Sequence, residues 1–107
     1  MTLAADGHLC RSFGELAVEN YLIANGIDHQ CEPVYPVHPE LNPGRKQRAD
    51  WLLPSDRWIE YAGMMDEVEY ATKMAVKVEL AAACGLDLLV LTPDDLPRLS
   101  EVIEPRR

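Results

Sequence analysis

Basic residues are scarce in this sequence. Ten lysines and arginines stand against 18 aspartates and glutamates, and the formal net charge is −8 at pH 7. Phosphate contacts need clustered Lys and Arg side chains, so this composition argues against a protein that holds nucleic acid by overall charge alone. Four basic residues nevertheless crowd one central stretch, namely Arg45, Lys46, Arg48 and Arg57. One face of the protein can therefore still be basic.

Long apolar runs are also missing. The longest, residues 80–91, is interrupted by Gly85 and Asp87, so we expect no membrane span. Residues 1–6 lack the basic segment and following apolar stretch of a secretory signal. These two features predict a cytoplasmic protein with no membrane partner.

Cysteine and histidine are rare, with three residues of each type. The cysteines are Cys10, Cys31 and Cys84, and the histidines are His8, His29 and His38. An odd number of widely spaced cysteines matches neither a disulfide framework nor a paired zinc motif. We expect reduced cysteines that act as small buried apolar residues. The histidines lack metal-ligand spacing and are predicted to be surface or loop residues.

The length and the remaining composition are those of one globular domain. The chain has 107 residues, of which 48% are hydrophobic and 26% charged. A chain of this length can bury one core but is short for two. We therefore expect a single domain over residues 1–107, with its core in about residues 12–103.

The first half of the chain predicts a helix, an irregular strand and a loop. Ser12 and Glu15 have the spacing of a helix-capping box, and Asn25-Gly26 is a common helix end. Residues 27–35 have alternating character, but Pro33 limits them to an edge or irregular strand. Residues 36–47 carry three prolines and favour an exposed loop.

The second half predicts a hairpin, a long helix, a buried strand and a last short helix. Residues 48–53 and 57–62 are rich in aromatic and branched side chains around a turn, which is typical of a β-hairpin. Residues 66–84 favour a helix, residues 88–92 a strand buried on both faces, and residues 93–103 a final helix. The expected fold class is α/β, with a small mixed sheet whose central β-hairpin is flanked by helices.

Two acidic residues lie on opposite arms of the predicted hairpin. Cross-strand pairing can bring Asp50 and Glu60 together at one end of the sheet, among the flanking residues Trp51 and Trp58. Their repulsion needs protons, a basic partner or a divalent cation, and oxygen ligands suit Mg²⁺ or Mn²⁺. The alternative is two solvated acids at strand ends. The tryptophans are predicted core residues, with stacking on bases as the alternative.

Four stretches in this order resemble the PD-(D/E)XK nuclease superfamily, which has the restriction-endonuclease-like fold. They are residues 48–54 (RADWLLP), 58–63 (WIEYAG), 73–77 (KMAVK) and 87–96 (DLLVLTPDDL). The likeness extends from Ser12 to about Leu99. Each stretch alone is weak, and the resemblance depends on their order and spacing.

The resemblance implies a metal-dependent nuclease that hydrolyses phosphodiester bonds of DNA. Asp50 and Glu60 would ligate Mg²⁺ or Mn²⁺, Glu15 would support the ion directly or through water, and the backbone carbonyl of Tyr61 would complete the ligand set. The cation would activate water for attack on the phosphodiester. Glu15 has a second explanation, because the capping box at Ser12 also accounts for it.

The sequence departs from the superfamily pattern at Ala62, where the motif has a lysine two residues after the second acid. Some members supply the basic group from the following helix, where this chain has Lys73 and Lys77 one turn apart. Lys77 is favoured, because the second lysine of the Lys-Met-x-x-Lys stretch lies where we expect the helix to pass the sheet. The alternative is that both lysines lie on the surface and pair with acids such as Glu69.

Several interpretations of the function remain open at this point. The four basic residues of the central stretch could contact DNA phosphates, or keep an exposed loop soluble. A homodimer or a larger protein partner would help so small and acidic a chain to hold DNA. The alternatives to an active nuclease are an inactive binding or assembly module of the same fold and an unrelated acidic domain that binds a basic protein.

Overall fold

The computed structural model of the protein describes Thr2–Leu3, Leu9–Cys10 and residues 12–104. The first two segments form a short antiparallel pair, β1 (Thr2–Leu3) and β2 (Leu9–Cys10). His8 and the side chain of Cys10 lie outside the described residues.

The first helix, α1 (Phe13–Ala24), confirms the helix predicted for residues 12–25. Ser12 is its N-cap, and the Ser12 side chain accepts a hydrogen bond from the backbone N–H of Glu15 at 3.2 Å. The helix ends at Asn25, and Gly26 follows with φ +63°, a left-handed conformation that glycine adopts without strain. Local sequence therefore sets both ends of α1.

The main sheet has four strands in the order β3 (Gln30–Cys31), β4 (Trp51–Leu52), β5 (Arg57–Tyr61) and β6 (Asp87–Leu91) in the described part of the chain. Strands β3, β4 and β5 pair antiparallel, whereas β6 runs parallel to β5. The hairpin β4–β5 confirms the pairing predicted for residues 48–62 and lies at the centre of the sheet. The sheet is therefore mixed, as the sequence predicts.

The segment before the hairpin is irregular, as its prolines predict. Strand β3 has two residues, and after Pro33 the chain forms an isolated bridge from Val34 to Arg48 rather than a continuous strand. The loop that follows is held by the buried Asn42. Its side chain donates to the carbonyls of Tyr35 and Pro36 and accepts from the backbone N–H of Gln47. The loop is thus fixed against the domain at its base.

The second long helix, α2 (Val68–Ala83), connects β5 to the parallel strand β6 and confirms the helix predicted for residues 66–84. The prediction that β6 is buried on both faces is correct only in part: Leu88 and Leu89 pack against apolar residues on opposite faces, but they and Val90 are only partly buried. The physical reason is position, since β6 is an edge strand of the described sheet and one of its sides has no neighbouring strand.

The single helix predicted for residues 93–103 is observed as two pieces. A 3₁₀ helix covers Pro93–Arg98, and α3 (Leu99–Ile103) follows it. Pro97 lies inside the first piece, and a proline there removes a backbone donor and disfavours a continuous α-helix. Thr92 and Asp95 cap the start of the 3₁₀ helix with reciprocal hydrogen bonds.

Two apolar clusters lie on opposite faces of the sheet. Residues of α1, of the strands and of the C-terminal helices form the larger cluster, which includes Val18, Leu22, Trp51, Ile59, Tyr61, Leu91, Leu99 and Ile103. The smaller cluster joins α2 and the loop to the other face and contains Tyr35, Ala49, Trp58 and Leu80. The described chain is therefore a small α/β domain with three α-helices and a four-stranded mixed sheet. No helix within the described residues has the length and apolarity to cross a membrane.

Candidate functional site

Asp50 and Glu60 meet at one end of the central hairpin. Glu60 belongs to β5, and its side chain is 1% exposed. The sequence predicts Asp50 within the first hairpin strand, but the residue occupies a bend directly before β4 and is partly buried. Its backbone N–H still donates to the carbonyl of Ile59 at 3.2 Å. The two side chains interact electrostatically, because the charge of Glu60 helps to raise the pKa of Asp50.

The Asp50 carboxylate is anchored by the backbone of the neighbouring strand. Its Oδ2 accepts a hydrogen bond from the Tyr61 N–H at 2.7 Å. Burial and the nearby charge of Glu60 raise the pKa of Asp50 to about 8, although the Tyr61 bond and Lys77 act in the opposite direction. Without a cation the structure therefore favours a protonated Asp50 at neutral pH.

Glu60 is held by two further side chains from separate parts of the fold. Tyr35 donates its hydroxyl proton to Oε2 at 2.9 Å, and the Lys77 ammonium lies 3.3 Å from Oε2 and 3.4 Å from Oε1. Burial raises the pKa of Glu60, whereas Lys77 and Tyr35 limit this rise. The acid pair and one ammonium group thus form a continuous polar cluster inside the domain.

The two candidate lysines of α2 have different environments. Lys77 is 23% exposed and contacts Glu60, as described above. Lys73, one turn earlier, is exposed to solvent. The helix therefore brings Lys77, and not Lys73, to the acid pair.

Glu15 approaches the acid pair from α1. Its charge contributes to the raised pKa of Asp50, and after burial it is also a cause of the raised pKa of Tyr61. The three acids are not tightly gathered, however. Among the described residues, only Glu19, His29 and Cys31 bring three ligand atoms within 4.8 Å of one another. Glu15 therefore acts on the pair through its charge, while Asp50 and Glu60 form the inner pair.

The Tyr61 carbonyl lies beside the acids but already has one partner. Tyr70 donates its hydroxyl proton to this oxygen at 2.8 Å and accepts from the Gly63 N–H at 3.2 Å. A carbonyl oxygen has two lone pairs, so it can accept a second partner. Burial raises the pKa of the Tyr70 hydroxyl, which keeps this group a donor.

The four basic residues of the central stretch do not form one cluster at the acids. Arg57 pairs with Asp87 at 3.1 Å, and it lies at the start of β5 on the face opposite Glu60, because side chains alternate along a strand. Arg48 donates to the carbonyl of Glu32 at 3.0 Å. Arg45 and Lys46 are exposed on the loop. Arg45, Lys46 and Arg48 therefore lie on the loop or directly after it, whereas Arg57 is paired with Asp87.

Sequence patterns do not predict the contacts that several polar residues make in the structure. Tyr35 and Tyr70 contact the candidate site, but no local pattern marks either one. The expectation that His29 is a surface or loop residue is wrong in part, because its side chain is 10% exposed and bonded to Glu19. The separation of Glu19 from His29 along the chain hides this contact from pattern analysis.

The cysteines differ in part from their predicted role as buried apolar residues. Cys31 and Cys84 are both partly rather than fully buried. Each packs at the margin of an apolar cluster, Cys31 on the α1 side and Cys84 on the α2 side.

The tryptophans are core residues, which confirms the sequence-based interpretation. Trp51 is 1% exposed in the α1 cluster, and its indole N–H donates to Glu19 at 2.7 Å. Trp58 lies in the α2 cluster and stacks on Tyr35 with ring centroids 5.0 Å apart. Both rings are therefore engaged in packing rather than presented to bind bases.

We expect Asp50→Asn to stabilise the protein increasingly as the pH rises from about 4 to 8. The folded protein keeps the Asp50 proton up to its pKa of about 8, whereas the unfolded chain releases it near 3.8. The wild type therefore loses stability over this pH range, by several kcal/mol at about 1.4 kcal/mol per pKa unit. Asparagine does not titrate and still accepts from Tyr61.

Urea unfolding of both proteins at pH 4, 6 and 8 measures this difference. Asp56→Asn is a matched control in the exposed hairpin turn, where φ is +65° and Asn is well tolerated. A gap between wild type and Asp50→Asn that stays constant with pH would contradict the burial of a repelled carboxyl at this position.

Comparison of the chain with protein-family models, with curated proteins and with solved structures found no significant match. The assignment of a function therefore depends on the geometry of the site.

Proposed function

We propose that this protein is a metal-dependent nuclease that hydrolyses phosphodiester bonds of DNA and uses Mg²⁺ or Mn²⁺. The observation that carries this proposal is the contact of Lys77 with Glu60 beside Asp50, inside the domain. A buried pair of carboxyls with an ammonium group next to it is costly for folding alone. Such arrangements are concentrated at functional sites, where pKa values are shifted for chemistry.

The order of elements supports a restriction-endonuclease-like fold. Helix α1 is followed by three antiparallel strands, then by α2 and by the parallel strand β6. In the resemblance described above, the two metal-binding acids lie on the hairpin and a supporting acid lies on the first helix. Asp50, Glu60 and Glu15 occupy these positions here.

The donor set fits a hard divalent cation. Asp50 and Glu60 offer carboxylate oxygens, the Tyr61 carbonyl offers a further oxygen, and Glu15 would support the ion directly or through water. Mg²⁺ and Mn²⁺ take one or two carboxylates and fill their other positions with water and substrate phosphate. When bound, the cation would lower the pKa of a bound water and offset negative charge on the phosphate.

Lys77 replaces the motif lysine that is missing at Ala62. Its ammonium reaches the acid pair from α2 and can donate hydrogen bonds to the attacking water and to the phosphate oxygens. In the proposed reaction the water oxygen bonds to phosphorus and the bond to one ester oxygen breaks. The leaving oxygen takes up a proton, and the products are a phosphate monoester and a hydroxyl group.

DNA binding would have to overcome the net charge of −8. Arg45, Lys46 and Arg48 are the basic residues of the loop and its end and are the proposed phosphate contacts, whereas Arg57 is paired with Asp87. Few phosphate contacts give weak binding at physiological salt. We therefore propose that a second copy of the chain or a larger protein partner helps to hold the DNA.

One observation favours a second candidate function. Lys77 already supplies Glu60 with a positive partner, and Ala62 leaves the usual motif position without a basic group. A protein of this fold with a neutralised site would serve as a DNA-binding or assembly module without cleavage. The two functions differ in whether a divalent cation displaces the Lys77 contact and binds the acids.

Cleavage of labelled single-stranded, duplex and branched DNA tests the proposed function. We expect cutting of at least one substrate in Mg²⁺ or Mn²⁺, and no cutting in EDTA or in Ca²⁺, which fits the site less well for catalysis. Single-stranded RNA is the comparison substrate, which tests whether the protein distinguishes ribose from deoxyribose. Absence of cutting on all DNA substrates, together with metal-independent DNA binding, would favour the non-catalytic module.

A further inference from the structure

A second polar cluster lies in the α1 layer, on the face of the sheet opposite Lys77. At its centre is Glu19 of α1, whose side chain is fully buried. Its Oε1 accepts from the Trp51 indole at 2.7 Å and from the Cys31 thiol at 3.4 Å, and its Oε2 lies 2.5 Å from Nε2 of His29. Burial of a carboxylate in an apolar core costs free energy unless hydrogen bonds or a positive charge compensate it. This cluster therefore differs from a solvated network of surface side chains.

The backbone fixes which nitrogen of His29 faces Glu19. Nδ1 lies 2.9 Å from the carbonyl oxygen of Ile27. A carbonyl can only accept, so Nδ1 carries a hydrogen and Nε2 is the nitrogen directed at the carboxylate. Metal-binding histidines are commonly oriented in this way, with one ring N–H donated to a backbone carbonyl and the other nitrogen directed at the ion.

We propose that Glu19, His29 and Cys31 bind one divalent ion of the zinc class. A carboxylate oxygen of Glu19, a ring nitrogen of His29 and Sγ of Cys31 lie within 4.8 Å of one another. A thiolate, an imidazole and a carboxylate are the ligand types that Zn²⁺ takes from proteins. The oxygen-only site at Asp50 and Glu60 calls for a different class of ion.

The distances allow this coordination after a small adjustment. Ligand atoms of a tetrahedral zinc ion lie roughly 3.3 to 3.8 Å apart, given bond lengths of about 2.0 and 2.3 Å. The separation of 3.4 Å between Glu19 and Cys31 is already in this range. The pair of Glu19 and His29, at 2.5 Å, has to open by about 1 Å. Binding releases the thiol proton of Cys31 to solvent and any proton held between the carboxylate and the imidazole.

The cluster is open to solvent on one side. His29 and Cys31 line a depression of about 330 Å³ between the end of α1 and β3. This depression gives an ion a path to its ligands and room for a water as fourth ligand. The Trp51 N–H would remain on the carboxylate and orient it.

The bound ion would tie two elements of the fold together. Glu19 belongs to α1, Cys31 to β3, and His29 to the segment between them. Metal binding that exists only in the folded state stabilises that state. The expected role is therefore to brace the first helix against the edge of the sheet, and this role does not depend on the proposed nuclease activity.

Titration of the full chain with Co²⁺, after removal of bound metal and without an affinity tag, tests the proposal. Thiolate ligation gives a charge-transfer band in the near ultraviolet, and tetrahedral Co²⁺ gives strong visible bands. We expect both at one equivalent of Co²⁺, displacement by Zn²⁺, and a rise of about 5 °C or more in Tm with excess Zn²⁺.

Matched variants identify the ligands. Cys31→Ser should lose the charge-transfer band, and His29→Gln should weaken Co²⁺ binding at least tenfold, while Cys84→Ser should behave as wild type. Asp50→Asn should also keep the band, which separates this site from the acid pair. A wild-type spectrum without a thiolate band, or a band that persists in folded Cys31→Ser, would overturn the proposal. Circular dichroism checks that each variant is folded.

Discussion

Asp50→Asn and Glu60→Gln are each expected to reduce metal-dependent DNA cleavage by at least a thousandfold. Each change keeps the size of the side chain but removes a negatively charged ligand. Because both acids are needed to hold the cation against the phosphate, loss of either one removes several kcal/mol of transition-state stabilisation. The two changes together should cost little more than one, since the residues act as a unit.

The fold should survive these substitutions, which makes the loss informative. The amide side chains of both variants keep oxygen acceptors for Tyr61 and Tyr35, and they remove the repulsion between two buried carboxylates. Single-turnover rates at saturating Mn²⁺ and isothermal titration with Mn²⁺ are the measurements. Glu69→Gln, on the exposed first turn of α2, is the control and should keep both activity and metal binding.

Full activity in either carboxylate variant would contradict the proposed site. A wild type that binds no Mn²⁺ and cleaves no DNA would instead support the non-catalytic module. The stability of the variants adds a second readout, because removal of a buried charge should raise Tm at pH 8 while it abolishes cleavage.

Lys77→Met is expected to lower the cleavage rate by roughly a hundred- to a thousandfold, the usual effect of removing one group that stabilises transition-state charge. The ammonium of Lys77 reaches Glu60, whereas Lys73 is exposed to solvent. Lys73→Met, a change of the same chemistry one turn away, should therefore stay within about threefold of wild type. The difference in cleavage rate between these two variants tests whether Lys77 takes the role of the motif lysine that is missing at Ala62.

The effect of Lys77→Met has to be separated from a loss of stability. Glu60 keeps the Tyr35 hydroxyl as a partner in this variant, and Mn²⁺ can replace the missing positive charge. We expect normal Mn²⁺ affinity with a reduced single-turnover rate, and partial recovery in Lys77→Arg. Equal activity of Lys77→Met and wild type would assign the Lys77 contact to folding alone.

The ends of the elements follow from local sequence. Ser12 caps the start of α1, Gly26 and Gly85 follow the two long helices with positive φ, and the prolines disfavour regular structure in the loop. These are contacts between residues a few positions apart, so they can be identified without knowledge of the fold. The hairpin at residues 48–62 can be predicted for the same reason.

Elements that depend on their neighbours are harder to predict. The uniform apolar character of β6 predicts burial on both faces, but the strand lies at the edge of the described sheet and is only partly buried. A sequence pattern indicates how apolar the surroundings of a strand are. It does not indicate which strands will pair with it.

The candidate site likewise combines residues that local sequence patterns predict with contacts that depend on the fold. The sequence by itself identified Asp50, Glu60 and the pair of lysines, because two acids on the arms of a hairpin and two basic residues one turn apart are local patterns. The motif favours Lys77 over Lys73, but both share one side of α2. Only the placement of that helix against the sheet separates their environments.

Tertiary structure alone brought Tyr35 to Glu60 and gathered Glu19, His29 and Cys31 around one point. The Tyr35 contact spans 25 residues, and the Glu19 cluster joins a helix to an irregular strand and to the indole of Trp51. Such contacts form because the sheet stacks distant segments at fixed distances. Local sequence decided which residue types were present, and the packing of the sheet against its helices decided which of them meet.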